Sequence, residues 1–353
     1  MDAIREDTML TALESVAPGA PLREALEHII AARTGALIVI GDERGVDVIS
    51  NGGFEIGAPF TPQRLFELSK MDGAILLDSG ATRIRRANVH LVPDADLPTS
   101  ETGMRHRTAE RVSRQTEALV ISVSQRREVV SLYRSGMRLT LEDIEVVIAK
   151  ANQALQTLER YRARLDEVSG HLTALEFEGM VTFGDVAIVI QRAEMLQRVA
   201  REVNRYVTEL GIEGRLVRLQ ADELTTGTED EYLMLLRDYL PASAPRKAPG
   251  TLSRLGALSP DQLLDPSAIA AVLGYKSKGD VVELRVEPRG YRLLRRVPLL
   301  PGTVINRLVD RFGSLSALLG ATEEELDEVD GVGARRARAV SDGLRRMRER
   351  HSF

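Results

Sequence analysis

The chain has 353 residues, 43% of them hydrophobic and 28% charged, which is long enough for two or three globular domains. It contains no cysteine, so disulfide bonds and thiolate metal sites are excluded, and its net charge of −5 argues against a wholly basic nucleic-acid binder. The apolar runs are too short to span a bilayer, and no secretory signal pattern opens the chain. We therefore expect a cytoplasmic protein that does not contact a membrane.

The first 140 residues alternate helical and strand patterns. Thr61 and Pro62 predict the start of a helix that runs to Lys70, because threonine caps helices and proline suits their first turn. The fold class predicted here is α/β with a mixed sheet, and no Gly-rich fingerprint of the P-loop or Rossmann type occurs. Further helices are predicted over 5–16 and 22–33, and strands over 36–40, 46–50, 74–77, 87–92, 119–122 and 129–133.

The stretch from Thr102 to Arg111 combines charge with a helix start. Arg105 and Arg107 flank His106, and Thr108 is predicted to cap a helix whose first turn contains Glu110. Backbone N–H groups at a helix start, together with planar guanidinium groups, bind anions that carry several oxygens. The stretch thus predicts a polyphosphate site, although a short Arg-His-Arg run is more often a solvated charge patch.

A second cluster, Met71-Asp72-Gly73-Ala74, lies between a predicted helix and a predicted strand. Asp-Gly is above all a turn signal, but the Asp72 carboxylate is also a candidate metal ligand. Loops at strand ends are where open α/β sheets bind ligands, and the Arg-His-Arg run is predicted in such a loop as well. The placement of both clusters therefore favours a functional site.

Residues 141–290 have a helical pattern. Apolar residues recur at three-four spacing from Leu141 to Leu175, a seam of about ten turns that predicts a spine or bundle helix. An autonomous coiled coil is the alternative. Helices are also predicted over 183–210 and 230–239, and Pro241, Pro245 and Pro249 then mark a break.

Residues 291–353 form an all-α region that ends in a basic segment. Helices are predicted over 304–312, 323–329 and 334–347, and the last follows Gly331-Val332-Gly333. This pattern resembles the helix-hairpin-helix DNA-binding module, in which two glycines let the loop lie against a phosphate. Arg335, Arg336 and Arg338 would add sequence-independent, salt-sensitive attraction. The alternative is a simple glycine-capped turn between helices.

The two clusters, the helical spine and the hairpin, taken in this order, resemble the DNA integrity scanning family over the whole chain. That family couples a diadenylate cyclase domain to a DNA-binding domain. The resemblance implies that two ATP molecules are condensed into cyclic di-AMP with release of two pyrophosphates. It implies domains at 1–140 (cyclase), 141–290 (helical linker) and 291–353 (helix-hairpin-helix), and a fold that is α/β followed by all-α.

The resemblance also gives roles to individual residues. Asp72 matches the ligand for Mg²⁺ or Mn²⁺, while Arg105, His106 and Arg107 would hold phosphates and neutralise the charge of the departing pyrophosphate. Gly73 and Ala74 are small enough for a nucleotide to lie close to the backbone. Leu91 either packs on the adenine or is an ordinary core residue. Further phosphate contacts are expected from Thr102, Gly103, Thr108 and Ser124.

The chain has a single copy of each cluster, whereas the reaction needs two nucleotides. Two cyclase domains must therefore meet face to face, and the resemblance implies a homo-octamer of two facing tetramers. It also implies that branched or damaged DNA, bound at the C-terminal domain, lowers the cyclase activity. A non-catalytic scaffold for DNA junctions that only senses ATP is the alternative. A metal-dependent nuclease is weaker, because no acidic residue accompanies Asp72 in an Asp-x-Asp pattern.

Overall fold

A computed structural model describes residues 2–241, 247–275 and 280–351, with side chains from residue 8 to residue 350. The chain forms two compact units. One contains the residues up to Gln153 together with Val203–Leu219, and the other contains Ala154–Glu202 together with the chain from Gln220 onward. The three boundaries fall inside the helices Ile144–Glu178, Phe183–Leu210 and Arg215–Thr225, so each of these helices contributes to both units.

The first unit is built on an eight-stranded mixed sheet, which confirms the predicted class. The strand order is β2-β5-β4-β1-β6-β7-β8, and β3 pairs with β5. Only β1 and β4 run parallel among the pairs of this sheet that the structure describes. The strands are β1 (Ala36–Ile40), β2 (Ser50–Asn51), β3 (Phe54–Pro59), β4 (Ala74–Leu77), β5 (Arg83–Leu91), β6 (Leu119–Ser124), β7 (Val129–Arg134) and β8 (Met137–Thr140). The helices are α1 (Asp2–Ser15), α2 (Pro21–Ala31), α3 (Glu43–Val48), α4 (Pro62–Leu68) and α5 (Met104–Gln115).

Helices cover both faces of the sheet, so the central strand β1 is buried on both sides. Ile38 packs in a core that includes residues of α1, α2 and α4, whereas Val39 packs in a second core with residues of α3 and α5. A strand buried on both faces is a continuous apolar run, as the stretch 36–40 is. This packing on both faces holds β1 in place along its whole length, including its two ends.

The strand predicted over 46–50 is wrong, because this segment begins as part of α3. Val46 and Ile49 are both buried, and their spacing of three places them on one side of a helical turn. Asp42 caps this helix through a carboxylate that accepts the Gly45 N–H. The pattern also missed β3 and β8, whereas Thr61 caps α4 as predicted.

The long predicted helices are present. They are α6 (Ile144–Glu178) and α7 (Phe183–Leu210). Leu155, Leu158, Leu165 and Leu172 are buried within this single chain, which favours a spine helix over an autonomous coiled coil. Of the prolines taken as a break, Pro245 lies outside the described residues and Pro249 lies in the first turn of α10. The remaining α-helices described before residue 290 are α8 (Arg215–Thr225), α9 (Thr228–Tyr239), α10 (Ala248–Gly256), α11 (Pro260–Leu264) and α12 (Pro266–Leu273), and a 3-10 helix at Gly211–Gly214 precedes α8.

The C-terminal region is a small helical core. Its helices are α13 (Tyr291–Arg295), α14 (Gly302–Phe312), α15 (Leu315–Gly320), α16 (Glu323–Asp327) and α17 (Gly333–His351). Leu294, Leu308 and Val340 are buried together there. A sheet domain followed by helices to the end of the described chain confirms the predicted fold class.

Candidate functional site

Asp72 lies in the short connection between α4 and β4. Gly73 has φ of +90°, and a Cβ there would lie 2.8 Å from the backbone carbon of Asn88, so only glycine fits. Ala74 is fully buried and pairs with Leu37 in β1. This anchoring holds Asp72 at the amino end of β4, where its side chain is 99% exposed.

Arg105, His106 and Arg107 lie in the first turn of α5, not in a loop before it. The helix begins at Met104 with Gly103 at the N-cap position, and the Arg107 N–H donates to the Gly103 carbonyl at 2.8 Å. The prediction that Thr108 caps the helix is therefore wrong, as is the placement of Glu110 in the first turn.

The physical reason for the earlier start lies in Glu110, which is buried. Its Oε2 accepts hydrogen bonds from the Thr99 hydroxyl at 2.7 Å and from the Ser100 N–H at 3.0 Å. The carboxylate thus fastens the preceding loop to the middle of α5 and leaves room for a full turn ahead of Thr108. From the sequence, Glu110 was only an acidic residue near a predicted helix start, and this tertiary role could not be predicted.

The two predicted clusters meet in space. Arg105 Nη2 lies 3.3 Å from Asp72 Oδ1. The same guanidinium lies against the buried Gly35, where a Cβ would come within 2.0 Å of Arg105 Nη1. Gly35 directly precedes β1, so the backbone at the start of the central strand provides the surface on which Arg105 rests.

Strand register brings further residues to this edge of the sheet. Val123 pairs with Ala36 in antiparallel register, so Ser124, the next residue, lies beside the start of β1. The Ser124 hydroxyl accepts the Arg127 N–H at 3.4 Å within the turn that leads to β7. Ser124 therefore lies at the same sheet edge as Gly35 and Gly73.

His106 is held by a chain of polar contacts that the sequence did not reveal. Its Nδ1 lies 2.9 Å from the hydroxyl of Tyr133, and that hydroxyl lies 2.9 Å from Glu101 Oε1. Arg138 Nη1 in turn lies 2.7 Å from Glu101 Oε1. Burial lowers the pKa of His106 below its usual 6.5, which keeps the imidazole neutral at pH 7.

The other predicted residues divide by exposure. Thr102, Gly103 and Arg107 are exposed beside the start of α5, and Thr108 is half-buried. Leu91 is buried in the core with Val39 and Val112, so the alternative of a core residue describes its packing, and the adenine contact stays a prediction.

Sequence reasoning missed Gly35, Glu101, Tyr133 and Arg138. The one available signal was Tyr133, a residue with a hydroxyl at the end of a run in which every other residue except Ser131 is apolar.

The predicted DNA-binding hairpin has the backbone that its glycines suggest. Gly331 and Gly333 have φ of +82° and +65°. Val332 is buried, and its N–H donates to the Val329 carbonyl at 2.9 Å. The three arginines differ: Arg335 and Arg338 are exposed, whereas Arg336 is half-buried. Arg336 donates to the carbonyls of Leu299 and Gly331, and Arg338 lies 3.6 Å from Glu323.

Two family models match the chain in succession. Residues 23–138 match the model described as DisA bacterial checkpoint controller nucleotide-binding, a DAC domain. Residues 141–282 match the model described as DisA bacterial checkpoint controller linker region. The chain belongs to the DisA family. The site of Asp72 and Arg105 therefore lies in a DAC domain, and the expected enzyme class, a nucleotidyltransferase of the diadenylate cyclase type, is confirmed.

DisA proteins match along nearly the whole chain. The DNA integrity scanning protein DisA of Carboxydothermus hydrogenoformans is 48% identical over 351 residues, 99% of either chain. The protein of that name from Frankia alni is 51% identical over 345 residues, 98% of this chain and 96% of its own.

No helix in the described ranges is long and apolar enough to cross a membrane.

Proposed function

We propose that this DisA protein condenses two ATP molecules into cyclic di-AMP at the site where Asp72 meets the first turn of α5. The observation that carries the proposal is the 3.3 Å approach of Arg105 Nη2 to Asp72 Oδ1. In adenylyl transfer, a 3′-hydroxyl attacks the α-phosphate of a second nucleotide in line with the departing pyrophosphate. Catalysis of such a step is mostly positioning and stabilisation of charge. The Asp72 carboxylate and the Arg105 guanidinium, side by side, can supply this positioning and this stabilisation of charge.

Asp72 fits a divalent cation, Mg²⁺ or Mn²⁺, that is shared with the substrate. The described residues contain no group of three or more acidic or histidine side chains that would enclose a metal by themselves. Mg²⁺ is usually bound through one or two carboxylates plus substrate phosphates, and the exposed Asp72 suits this arrangement. The cation supplies charge neutralisation at the phosphates when it is bound. The Asp72–Arg105 contact would then open, which frees the guanidinium for a phosphate oxygen.

Arg105 and Arg107 hold the phosphates and stabilise the pyrophosphate as it leaves. Arg105 is positioned by Gly35, and Arg107 is exposed beside the N-terminus of α5, a helix of 12 residues. No side chain caps this helix, so its first N–H groups remain available to an anion. Thr102, Gly103, Thr108 and Ser124 would add phosphate contacts from the same edge of the sheet.

One such site binds one nucleotide, so the active unit consists of two facing cyclase domains. The proposed assembly is a homo-octamer of two facing tetramers, which rests on the family resemblance. The proposed domain bounds are 1–140, 141–290 and 291–353.

The C-terminal domain would bind branched or damaged DNA through phosphate contacts at Gly331, Val332, Gly333 and Arg335. Bound DNA would lower the cyclase activity. Deletion of the chain beyond residue 290 should remove both DNA binding and DNA sensitivity.

The test is turnover by the purified full chain with ATP and either Mg²⁺ or Mn²⁺, with products identified by mass. We expect cyclic di-AMP and two equivalents of pyrophosphate. Asp72→Asn should abolish the product without lowering the melting temperature. Asp96→Asn, which also changes an exposed aspartate, is the matched control and should keep full activity. Failure of the intact protein to form product at any concentration would refute the proposal.

A further inference from the structure

A cavity of about 190 Å³ lies between α9 and α13, in the helical unit that contains the chain from Gln220 onward. Its polar lining comes from the start of α9 and from α13 with its C-cap residue, and consists of Gly227, Asp230, Glu231, Arg292, Arg295 and Arg296. A single buried water needs only about 10–15 Å³. The cavity is therefore large enough for a group that carries several oxygen atoms.

Arg292 has buried donors that the described part of the chain leaves unused. Its side chain is 2% exposed, and its Nη2 donates to the Thr173 hydroxyl and to Glu176. Its Nε and Nη1 are buried and have no hydrogen-bond partner among the described residues. Glu231 Oε1, on the cavity wall, lies 4.0 Å from Nη1, which places this nitrogen at the cavity but beyond hydrogen-bond distance of that carboxylate. A buried charged donor without an acceptor is costly, and an acceptor inside the cavity would remove that cost.

The other two arginines of the lining are only loosely engaged. Arg295 Nε lies 2.7 Å from Asp230 Oδ2, with side chains 52% and 45% exposed, and Arg296 contacts Glu231 in a similarly exposed pair. Such pairs contribute little to stability, so their partners exchange readily. Three guanidinium groups face two carboxylates, which leaves the lining with an excess of one positive charge at pH 7.

The start of α9 adds further donors. This helix has 12 residues and begins after Gly227, which lines the cavity and has no side chain to accept the first N–H groups. The first N–H groups of a helix have no partner within the helix, and they lie at the positive end of its dipole. An anion in the cavity would accept from them as well.

We propose that this cavity binds a phosphate group, held by Arg292, Arg295 and Arg296 at the start of α9. A phosphate group presents at least three strong acceptor oxygens, so it can bond to several guanidinium groups at once, whereas a carboxylate presents two. It would replace the carboxylates at the two exposed arginines and give the buried arginine its acceptor. The site goes beyond the cyclase reaction, because all of its residues belong to the helical unit. The group comes either from a free phosphate anion or from a DNA backbone.

Equilibrium dialysis of the full chain against radiolabelled inorganic phosphate, at an ionic strength fixed with sodium chloride, measures the binding. All variants are made in the Arg105→Ala chain, so that phosphate at the cyclase site contributes little. We expect saturable binding that Arg295→Gln and Arg296→Gln each weaken about tenfold, the value of one charged hydrogen bond. Arg164→Gln is the matched control, because Arg164 is a similarly exposed arginine of the same unit, paired with Glu167. Absence of saturable binding, or equal binding in Arg295→Gln and Arg164→Gln, would overturn the proposal.

A DNA duplex added at saturation distinguishes the two sources of the group. Release of the labelled phosphate would assign the cavity to a backbone phosphate of DNA. Phosphate that stays bound would assign it to a free anion. Either result supports a phosphate site.

The opposite change gives a test that a misfolded chain cannot satisfy. Asp230→Asn and Glu231→Gln each remove a carboxylate that competes with phosphate for an arginine, so each should tighten phosphate binding about fivefold. Glu229→Gln also removes an acidic side chain from the first turn of α9, but this residue does not line the cavity, and the change should stay within about twofold. Binding that is unchanged or weaker in Asp230→Asn and Glu231→Gln would show that phosphate does not occupy this cavity.

Discussion

Two arginine–carboxylate pairs in this molecule occupy opposite environments. In the cyclase domain, Arg105 and Asp72 approach to 3.3 Å with side chains 37% and 99% exposed. In the helical unit, Arg292 pairs with Glu176, and the two side chains are 2% and 1% exposed. An exposed pair contributes about 0–1 kcal/mol to stability, whereas removal of one partner from a buried pair costs about 3–5 kcal/mol. The first pair is therefore free to exchange its partners for a ligand, and the second is part of the structure.

The buried pair belongs to a network that joins three helices. Arg292 on α13 also donates to the Thr173 hydroxyl of α6 at 3.0 Å, and the Tyr239 hydroxyl of α9 donates to Glu176 at 2.7 Å. Asp238 of α9 accepts the N–H groups of residues 290, 291 and 292 at the start of α13. Buried polar groups bonded to one another in this way favour one arrangement of the helices, although Arg292 Nε and Nη1 have no hydrogen-bond partner in the described part of the chain. No comparable set of bonds holds Asp72, whose carboxylate contacts Arg105 alone among the residues that the structure describes.

The largest effect is expected from Arg105→Ala, which should lower kcat about 100- to 1000-fold, as loss of a charge-stabilising donor does. The free energy of unfolding should change by less than about 1 kcal/mol, because the ion pair is exposed. Arg105→Lys keeps the charge but loses the planar fork, so it should recover only part of the activity. Turnover assays and chemical denaturation of the three proteins measure both quantities. A large loss of stability in Arg105→Ala would show that this pair too is structural.

The opposite result is expected for Glu176→Gln. It leaves Arg292 buried without its nearest counter-charge and should lower the free energy of unfolding by about 3–5 kcal/mol. Glu167→Gln, on the same helix and in an exposed pair with Arg164, should change it by less than about 0.5 kcal/mol. Denaturation followed by circular dichroism would compare them. Equal stabilities would contradict the structural role of the buried pair.

A smaller effect is expected from Gly35→Ala. The added methyl group would occupy the position of the Arg105 guanidinium, so we expect a loss of about tenfold in kcat through displacement of that group. Gly80→Ala is the control, because the nearest atom to a Cβ there is a methyl carbon of Thr82 at 3.4 Å. Both glycines lack a positive φ, so backbone strain does not enter the comparison. Unchanged kcat in Gly35→Ala would mean that Arg105 does not depend on this contact.

The strands and helices that were predicted correctly are those that depend on a local pattern in the sequence. The apolar run 36–40 became β1, and the predicted helix 183–210 has the bounds of α7. The strand predicted over 46–50 was wrong because the pattern of a short apolar segment fits either a strand or a helix. Burial of Val46 and Ile49 on one side favours the helix. Asp72 and the Arg-His-Arg run could be singled out because each is a compact cluster. Their contact required the fold.

The positioning of the site could not be predicted, because it depends on residues far apart in the chain. Tyr133 reaches His106 across 27 positions, and Glu101 reaches Tyr133 across 32. The predicted start of α5 was wrong for a related reason. Thr108 is suited to cap a helix, but the tertiary hydrogen bonds of Glu110 place the start of the helix earlier in the chain. Gly35 has an ordinary backbone, and the space that a side chain would need is bounded by the Arg105 guanidinium and the Val123 carbonyl.

The smallest effect distinguishes two arginines that the sequence treats alike. Arg335 is exposed, so Arg335→Ala should reduce the slope of log affinity for DNA against log salt by about 0.9, the loss of one phosphate contact, with stability unchanged. Arg336 instead ties Leu299 to Gly331 through two carbonyl bonds, so Arg336→Ala should lower the free energy of unfolding by about 1–3 kcal/mol. Its effect on DNA affinity should therefore come mainly from a loosened loop and depend little on salt. If both variants reduced the salt slope equally at unchanged stability, Arg336 would be a phosphate contact like Arg335, and the contrast between exposed and engaged charges would not extend to the hairpin.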